Sequence, residues 1–494
     1  MTSAASTHEL DAAFAPPPDG PELANEDLLP VKKQTWGTYS FFALWMSDVH
    51  SLGGYVFAAG LFFLGLSGWQ ILLAMLMGIL LVNKMLNGVG IMGQRTGVPY
   101  PVLARLSFGV YGANLPALIR AAVGIVWYGV QTWLASTALV ILVEALWPGS
   151  SKAVGGEWLG LSGMGWICFM AMWVLQQLLF WRGMERIRTF IDFCGPAVYL
   201  VMFALAAWML AQAGWSAFTL KLSDKVLTPG ETVTQMFNVI ALVIAYFATL
   251  LLNFADFSRF GQSEQAVRRG NFLGLPVNFM AFALVTVIVT AGTLVVFGEA
   301  LLDPIKVVER IENKPMLVVG CLTLLVATIG INIVANFVSA AYDIANVSPR
   351  HISFARGGLI TAVLSILVLP WQLYNRPEII NVFVGGLGAC LGPLFGIIIV
   401  DYYWIRRRHV VVKDLYDASA GGRYWYTGGW NLRAVAAFVP AAVVAGLAVV
   451  SPWGYIKTGE AYGWAIGTLL GGFLYAVVMP RMPPAASMRG SRTS

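Results

Sequence analysis

Trp45-Met46-Ser47-Asp48-Val49-His50-Ser51-Leu52-Gly53-Gly54 puts an acid, an imidazole and two hydroxyls ahead of a glycine pair, all within apolar sequence. Paired glycines permit an unwound stretch, and backbone that opens at membrane depth lines a cavity or is buried in protein. The alternative is a kinked packing helix whose Asp48 pairs with a neighbour. Trp127 and Gln131 stand four apart, on one helical face and within about 6 Å at Cβ. An aromatic plate thus lies beside a carboxamide that both donates and accepts. Membrane tryptophans also gather in interfacial belts. Asn332 and Asn336 share that spacing, and two such amides either join helices or bind the polar edge of a ligand. Tyr246-Phe247 precedes Asn253 and Asp256; its rings serve a core as readily as a site.

One kind of ligand would use all these sets. A planar ring can lie between Trp127 and Phe247, since stacking on an aromatic contributes about 1–3 kcal/mol per base. The C=O and N–H groups of a heterocycle match the donor and acceptor of a carboxamide. Such a ligand needs no charge. An amino acid would instead bring a carboxylate, which wants a glycine-rich helix N-terminus.

The elements that must position these groups follow from composition. The 494 residues are 58% hydrophobic and 11% charged, against about 25% charged in soluble domains. That excludes a water-soluble enzyme, a disordered chain and a disulfide scaffold. The chain reads as an all-α membrane protein. A helix needs about 20 apolar residues to cross a roughly 30 Å core. Eleven long stretches lack Asp, Glu, Lys and Arg, from 49–83 to 461–480. The first holds most of two helices, with Gly65 and Ser67-Gly68 as the turn, so twelve are expected. In chain order, helix 3 covers 121–143, helix 6 covers 232–255 and helix 8 covers 315–342.

Eight of the 31 Lys and Arg fall in the loops after odd-numbered helices, and the other 23 in the tails and remaining loops. This bias sets both termini in the cytoplasm. The expected organisation is a cytoplasmic tail over 1–36, a twelve-helix transporter domain over 37–480 and a cytoplasmic tail over 481–494. The N-terminal tail lacks a basic region followed by an apolar core, so no cleaved signal peptide is expected. The net charge of +6 reads as orientation charge at helix ends beside lipid, with no nucleic acid as partner. Cys168, Cys194, Cys321 and Cys390 lie in apolar stretches and read as small buried hydrophobes. Neither metal-ligand spacing nor repeated pore-lining rings are visible, which argues against a membrane enzyme and a channel. No cofactor and no metal site are expected.

Longer motifs carry a resemblance. They are NEDLLP (Asn25 to Pro30), VWYGVQTWLAS (Val126 to Ser136), LLNFADFSRF (Leu251 to Phe260), VANFVSAAYDIAN (Val334 to Asn346) and GPLFGIIIVDYYWIRRR (Gly392 to Arg408). This ordered set resembles the nucleobase–cation symporter-1 family, nearest its bacterial allantoin, uracil and hydantoin permeases. The resemblance runs from about residue 25 to 480. It implies an inverted-repeat leucine-transporter-like fold, five plus five helices plus two, with helices 1 and 6 broken at the midplane. It implies a secondary symporter of the inner membrane that imports a neutral nucleobase or cyclic ureide of the uracil, allantoin, hydantoin or dihydropyrimidine class. A bundle of helices 1, 2, 6 and 7 would rock against a scaffold to give alternating access. An amino-acid or amine permease of the same fold is the alternative.

Carried over residue by residue, the family's site falls on Trp127, Gln131 and Asn336, with a polar residue of helix 1 on Ser51 and the second stacking aromatic on Phe247 beside Tyr246. Relatives that carry hydantoin and allantoin tend to have Trp at the last position, so Phe247 opens a smaller ring such as uracil. Sodium-coupled members bind the ion through carbonyls that fall on Ser47, His50 and Ala327, plus two hydroxyls of helix 8. Those hydroxyl positions fall on Gly330 and Ile331, which have no side-chain oxygen, whereas a hard cation wants several. Of the two coupling ions, H⁺ and Na⁺, the proton is therefore expected, with Asp48 or His50 as its carrier. Ala245-Tyr246 replaces the glycines of a relative in helix 6, so a shorter break is expected there.

Overall fold

Charge-free runs become helices because no backbone N–H or C=O can be left unpaired in hydrocarbon. The computed structural model describes residues 22–50, 52–215, 223, 225–310, 312–374, 377–450 and 459–481. Among them, eight helices are long and apolar enough to cross a membrane. These are helix 2 (Gly68–Thr96), helix 3 (Asn114–Leu146), helix 4 (Gly163–Phe180), helix 5 (Met184–Ala213), helix 7 (Glu264–Phe297), helix 8 (Lys314–Val347), helix 10 (Pro377–Val400, extended by a π turn over Asp401–Ile405) and helix 11 (Leu432–Val450). Helix 9 (Phe354–Leu367) and helix 12 (Gly459–Val478) complete the set with two broken helices. The twelve spans match the charge-free stretches.

Helix 1 runs over Thr38–Val49 and resumes over Leu52–Leu61. It opens at His50 (φ −81°, ψ 84°), ahead of the glycine pair thought to unwind it. Gly53 and Gly54 are both helical. Helix 6 runs over Pro229–Tyr246 and resumes over Ala248–Asn253, with Phe247 (φ −91°, ψ 8°) as a one-residue break. That break is short, as Ala245-Tyr246 implied. The N-terminus of helix 6 is fixed by a capping box of Thr228 and Glu231, with Pro229 in the first turn, which closes orphan N–H groups.

Helices 1, 5 and 7 pack together, as do helices 3, 4 and 8, and helices 10, 11 and 12. The segment after residue 21, expected as a tail, is built into the fold. Leu23, Leu28 and Trp36 are buried. Asn25 Nδ2 donates to the carbonyls of Pro349 (3.1 Å) and Ile352 (3.0 Å), and the Asp27 carboxylate accepts from Phe354 N at 2.8 Å. Arg259 donates to Asp27 O from both terminal nitrogens at 3.0 Å. An antiparallel pair, Glu157–Trp158 with Leu161–Ser162, lies between helices 3 and 4, where no strand was anticipated.

Candidate functional site

Helix 3 approaches helix 8 closely because Gly124 has no side chain. A Cβ there would lie 2.9 Å from Asn336 O and 3.1 Å from Ala340 Cβ. One turn further along, Trp127 and Gln131 face a cavity of about 740 Å³. The same cavity is lined by Asp48 and Gly53 from helix 1, by Tyr246 and Phe247 at the break of helix 6, and by Asn336 from helix 8. Four helices distant in sequence thus converge on one space.

The aromatic walls differ from one another. Phe247 is buried and meets Trp45, Tyr246 and Phe279 edge-on, with ring centroids 6.2, 5.1 and 5.7 Å away. Tyr246 stacks on Phe57 of helix 1 at 4.6 Å with an interplanar angle of 15°, which ties the two broken helices together. Trp127 is half-buried and meets no other aromatic ring among the described residues. Its indole is therefore free to stack on a ligand.

The two amides of helix 8 have separate tasks. They fall in a π turn over Asn332–Phe337, a wide turn that is frequent at functional sites. Asn336 reaches the cavity. Asn332 is fully buried behind it and donates to Tyr128 O (3.1 Å), Thr132 Oγ1 (3.0 Å) and Gln176 Oε1 (2.8 Å). It also accepts from Asn336 Nδ2 at 3.0 Å. Asn332 therefore joins helices 3, 4 and 8 and does not meet the cavity, because its hydrogen-bonding groups are already matched.

The residues expected to serve the coupling ion separate as well. The Asp48 carboxylate is buried in the cavity wall, and its Oδ1 has no hydrogen-bond partner among the described residues. His50 points away from that cavity. Its ring lies edge-on to Tyr199 (centroids 3.7 Å apart) and Phe282 (4.7 Å). With Tyr55, Thr323 and Ala327, His50 lines a second space of about 20 Å³, room for about one water. Ser47 is buried against helix 8, where a Cβ built on Gly330 would collide with its Oγ. Ser47 Oγ thus fills the space beside Gly330. Ser51 lies outside the described residues.

A charged cluster lies two turns from the cavity; sequence reasoning singled out its Asn253 and Asp256 but missed Arg120 and Asp343. Arg120 of helix 3 is fully buried, with Nε 4.0 Å from Asp343 Oδ2 of helix 8. It also donates to Ala335 O. With the Asn253 amide turned as its neighbours require, the Asn253 oxygen accepts from Arg120 Nε at 2.9 Å and Nη2 at 2.8 Å. Asp256 accepts from Tyr100 N at 2.7 Å. The available signal was spacing: Arg120 precedes Trp127 by seven and Asp343 follows Asn336 by seven, two turns along the same faces.

Comparison with known proteins adds a second line of observation. A profile for permeases for cytosine/purines, uracil, thiamine and allantoin matches residues 28–467. The allantoin permease of Bacillus subtilis (strain 168) is 38% identical over 470 residues, covering 94% of this chain and 95% of that protein. The purine-uracil permease NCS1 of Arabidopsis thaliana is 35% identical over 474 residues, covering 94% of this chain and 78% of that protein. Among solved structures, Mhp1, a nucleobase-cation-symport-1 family transporter in a closed conformation with bromovinylhydantoin bound, superposes with a TM-score of 0.74. The match covers 94% of this chain and 98% of that one at 22% identity. That likeness establishes the leucine-transporter-like fold.

Proposed function

The chain belongs to the nucleobase–cation symport-1 family of membrane permeases, and on that premise we propose that its 740 Å³ cavity carries a neutral nucleobase or cyclic ureide inward. The single observation that carries this reading is the meeting of Trp127, Gln131, Phe247 and Asn336 around one space. Trp127 supplies a face for a planar ring, and Phe247 with Tyr246 forms a second, more rigid part of the cavity lining. Gln131 and Asn336 supply amides for its C=O and N–H groups. Stacking worth about 1–3 kcal/mol per base binds many rings, so the amides must supply the selectivity. Uracil and the hydantoin ring, which allantoin carries with a ureido side chain, have the required flat, uncharged form; dihydropyrimidines are uncharged but puckered. The protein works in the inner membrane of a bacterium, with both termini in the cytoplasm.

Transport is coupled to a cation, and the proton is the ion this chain supports. Gly330 and Ile331 offer no side-chain oxygen to a hard cation. Asp48 stands in the cavity wall with an unmatched oxygen, placed to take up and release a proton. His50 is the second candidate carrier.

Labelled uracil, allantoin and hydantoin supplied to cells test the reading. At least one should accumulate with sodium replaced by choline, and a protonophore should abolish that accumulation. Strict sodium dependence would remove the proton assignment. Trp127→Ala and Asn336→Ala should each weaken uptake affinity about tenfold or more at unchanged membrane abundance; retained affinity in both would overturn the site.

A further inference from the structure

Carboxamides are ambiguous readers, since a half-turn exchanges donor and acceptor. At Asn336 that freedom is removed by a chain of partners ending on backbone carbonyls, whose polarity cannot change. Gln176 of helix 4 donates from Nε2 to Met172 O at 3.2 Å and to Thr132 Oγ1 at 3.1 Å, so its Oε1 must face Asn332. Thr132 in turn donates to Tyr128 O at 2.7 Å. Asn332 Nδ2 faces that Oε1 (2.8 Å) and the carbonyl of Tyr128 (3.1 Å), which leaves its own Oδ1 toward helix 8. Asn336 Nδ2 then donates to Asn332 Oδ1 at 3.0 Å. Gln176, Thr132 and Asn332 are all fully buried, so water does not compete for these bonds. Reversing the Asn336 amide would set oxygen against oxygen at Asn332, and reversing Asn332 would set its oxygen against Tyr128 O.

We infer that Gln176 and Asn332 are positioning residues that lock Asn336 with its Oδ1 toward the cavity, so that the transported ring is selected for an N–H at that edge. This rests on the cargo class proposed above. Oδ1 of Asn336 can only accept. A ring that offers an acceptor there leaves both groups unmatched, a fault that lowers affinity by roughly five- to a hundredfold. Gln131 has no such chain of partners: its Oε1 is buried without a hydrogen bond among the described residues. Its amide can turn to suit either polarity. The cavity thus pairs one fixed reader with one adaptable reader.

Displacement binding on the full-length protein tests this. The label is whichever of uracil, hydantoin or allantoin the wild type binds. The competitors are uracil and pyrimidine, the same six-membered ring with N–H donors in one and only acceptor nitrogens in the other. Wild type should prefer uracil by about a hundredfold. Asn332→Ala, which does not touch the ring, should narrow that ratio at least tenfold by freeing Asn336 to turn, and Gln176→Ala, which leaves Asn332 held by Tyr128 O, should narrow it less. A merely structural role would lower both affinities together and leave the ratio in place, which overturns the proposal. So does a wild type that prefers neither ring, whatever the folding of the variants. A protein that binds none of the three labelled rings instead overturns the cargo class.

Discussion

Arg120 is a buried charge that ties helices 3, 6 and 8 together. Its guanidinium stands among Asp343, Asn253 and the carbonyl of Ala335 with no exposure to solvent. Removing one member of such a group leaves the opposite charge uncompensated, a change that destabilises by about 3–5 kcal/mol. Arg120→Leu should therefore lower the melting temperature of the purified protein sharply, whereas Trp127→Ala should leave it near the wild-type value. Equal melting in Arg120→Leu and wild type would show that Asp343 is neutral in the folded state. In the sequence this arginine borders the charge-free stretch of helix 3, where an orientation charge is the ordinary reading. Trp127, Gln131 and Asn336 were legible because aromatic and amide groups are conspicuous in apolar helices. Asn332 is equally conspicuous, and only its partners assign it to the support.

Glycines decide which helices can touch, and their meaning was harder to read. Gly53-Gly54 suggested a place to unwind, yet helix 1 opens at His50; Gly53 instead lies in the cavity wall. A one-dimensional pattern reports that a side chain is missing without reporting what fills the gap. Gly330 is the sharpest instance, because Ser47 Oγ occupies the place a Cβ would need. Gly330→Ala should destabilise by about 1–3 kcal/mol through overpacking. Ser47→Ala in the same chain should recover most of that loss, since the remaining Ser47 Cβ would stand 3.5 Å away. Unfolding of the two single variants and the double variant measures this. Strict additivity would refute the contact between helices 1 and 8.

At the scale of the molecule, twelve spans were legible from eleven charge-free stretches and one glycine turn, because hydrocarbon tolerates neither stray charge nor open backbone. The short first turn after residue 21 was not. NEDLLP looks like a soluble tail, but Asn25 and Asp27 grip the turn joining helices 8 and 9, while Arg259 grips Asp27 from the end of helix 6. This segment, with buried Leu23 and Leu28 beside its polar contacts, thereby acts as a strap across two groups of helices. If cargo leaves by parting helix 6 from helix 8, the strap has to let go on every cycle, and its grip becomes a speed setting. Asp27→Ala should accordingly quicken the escape of preloaded cargo from vesicles while barely altering how tightly the ring is held.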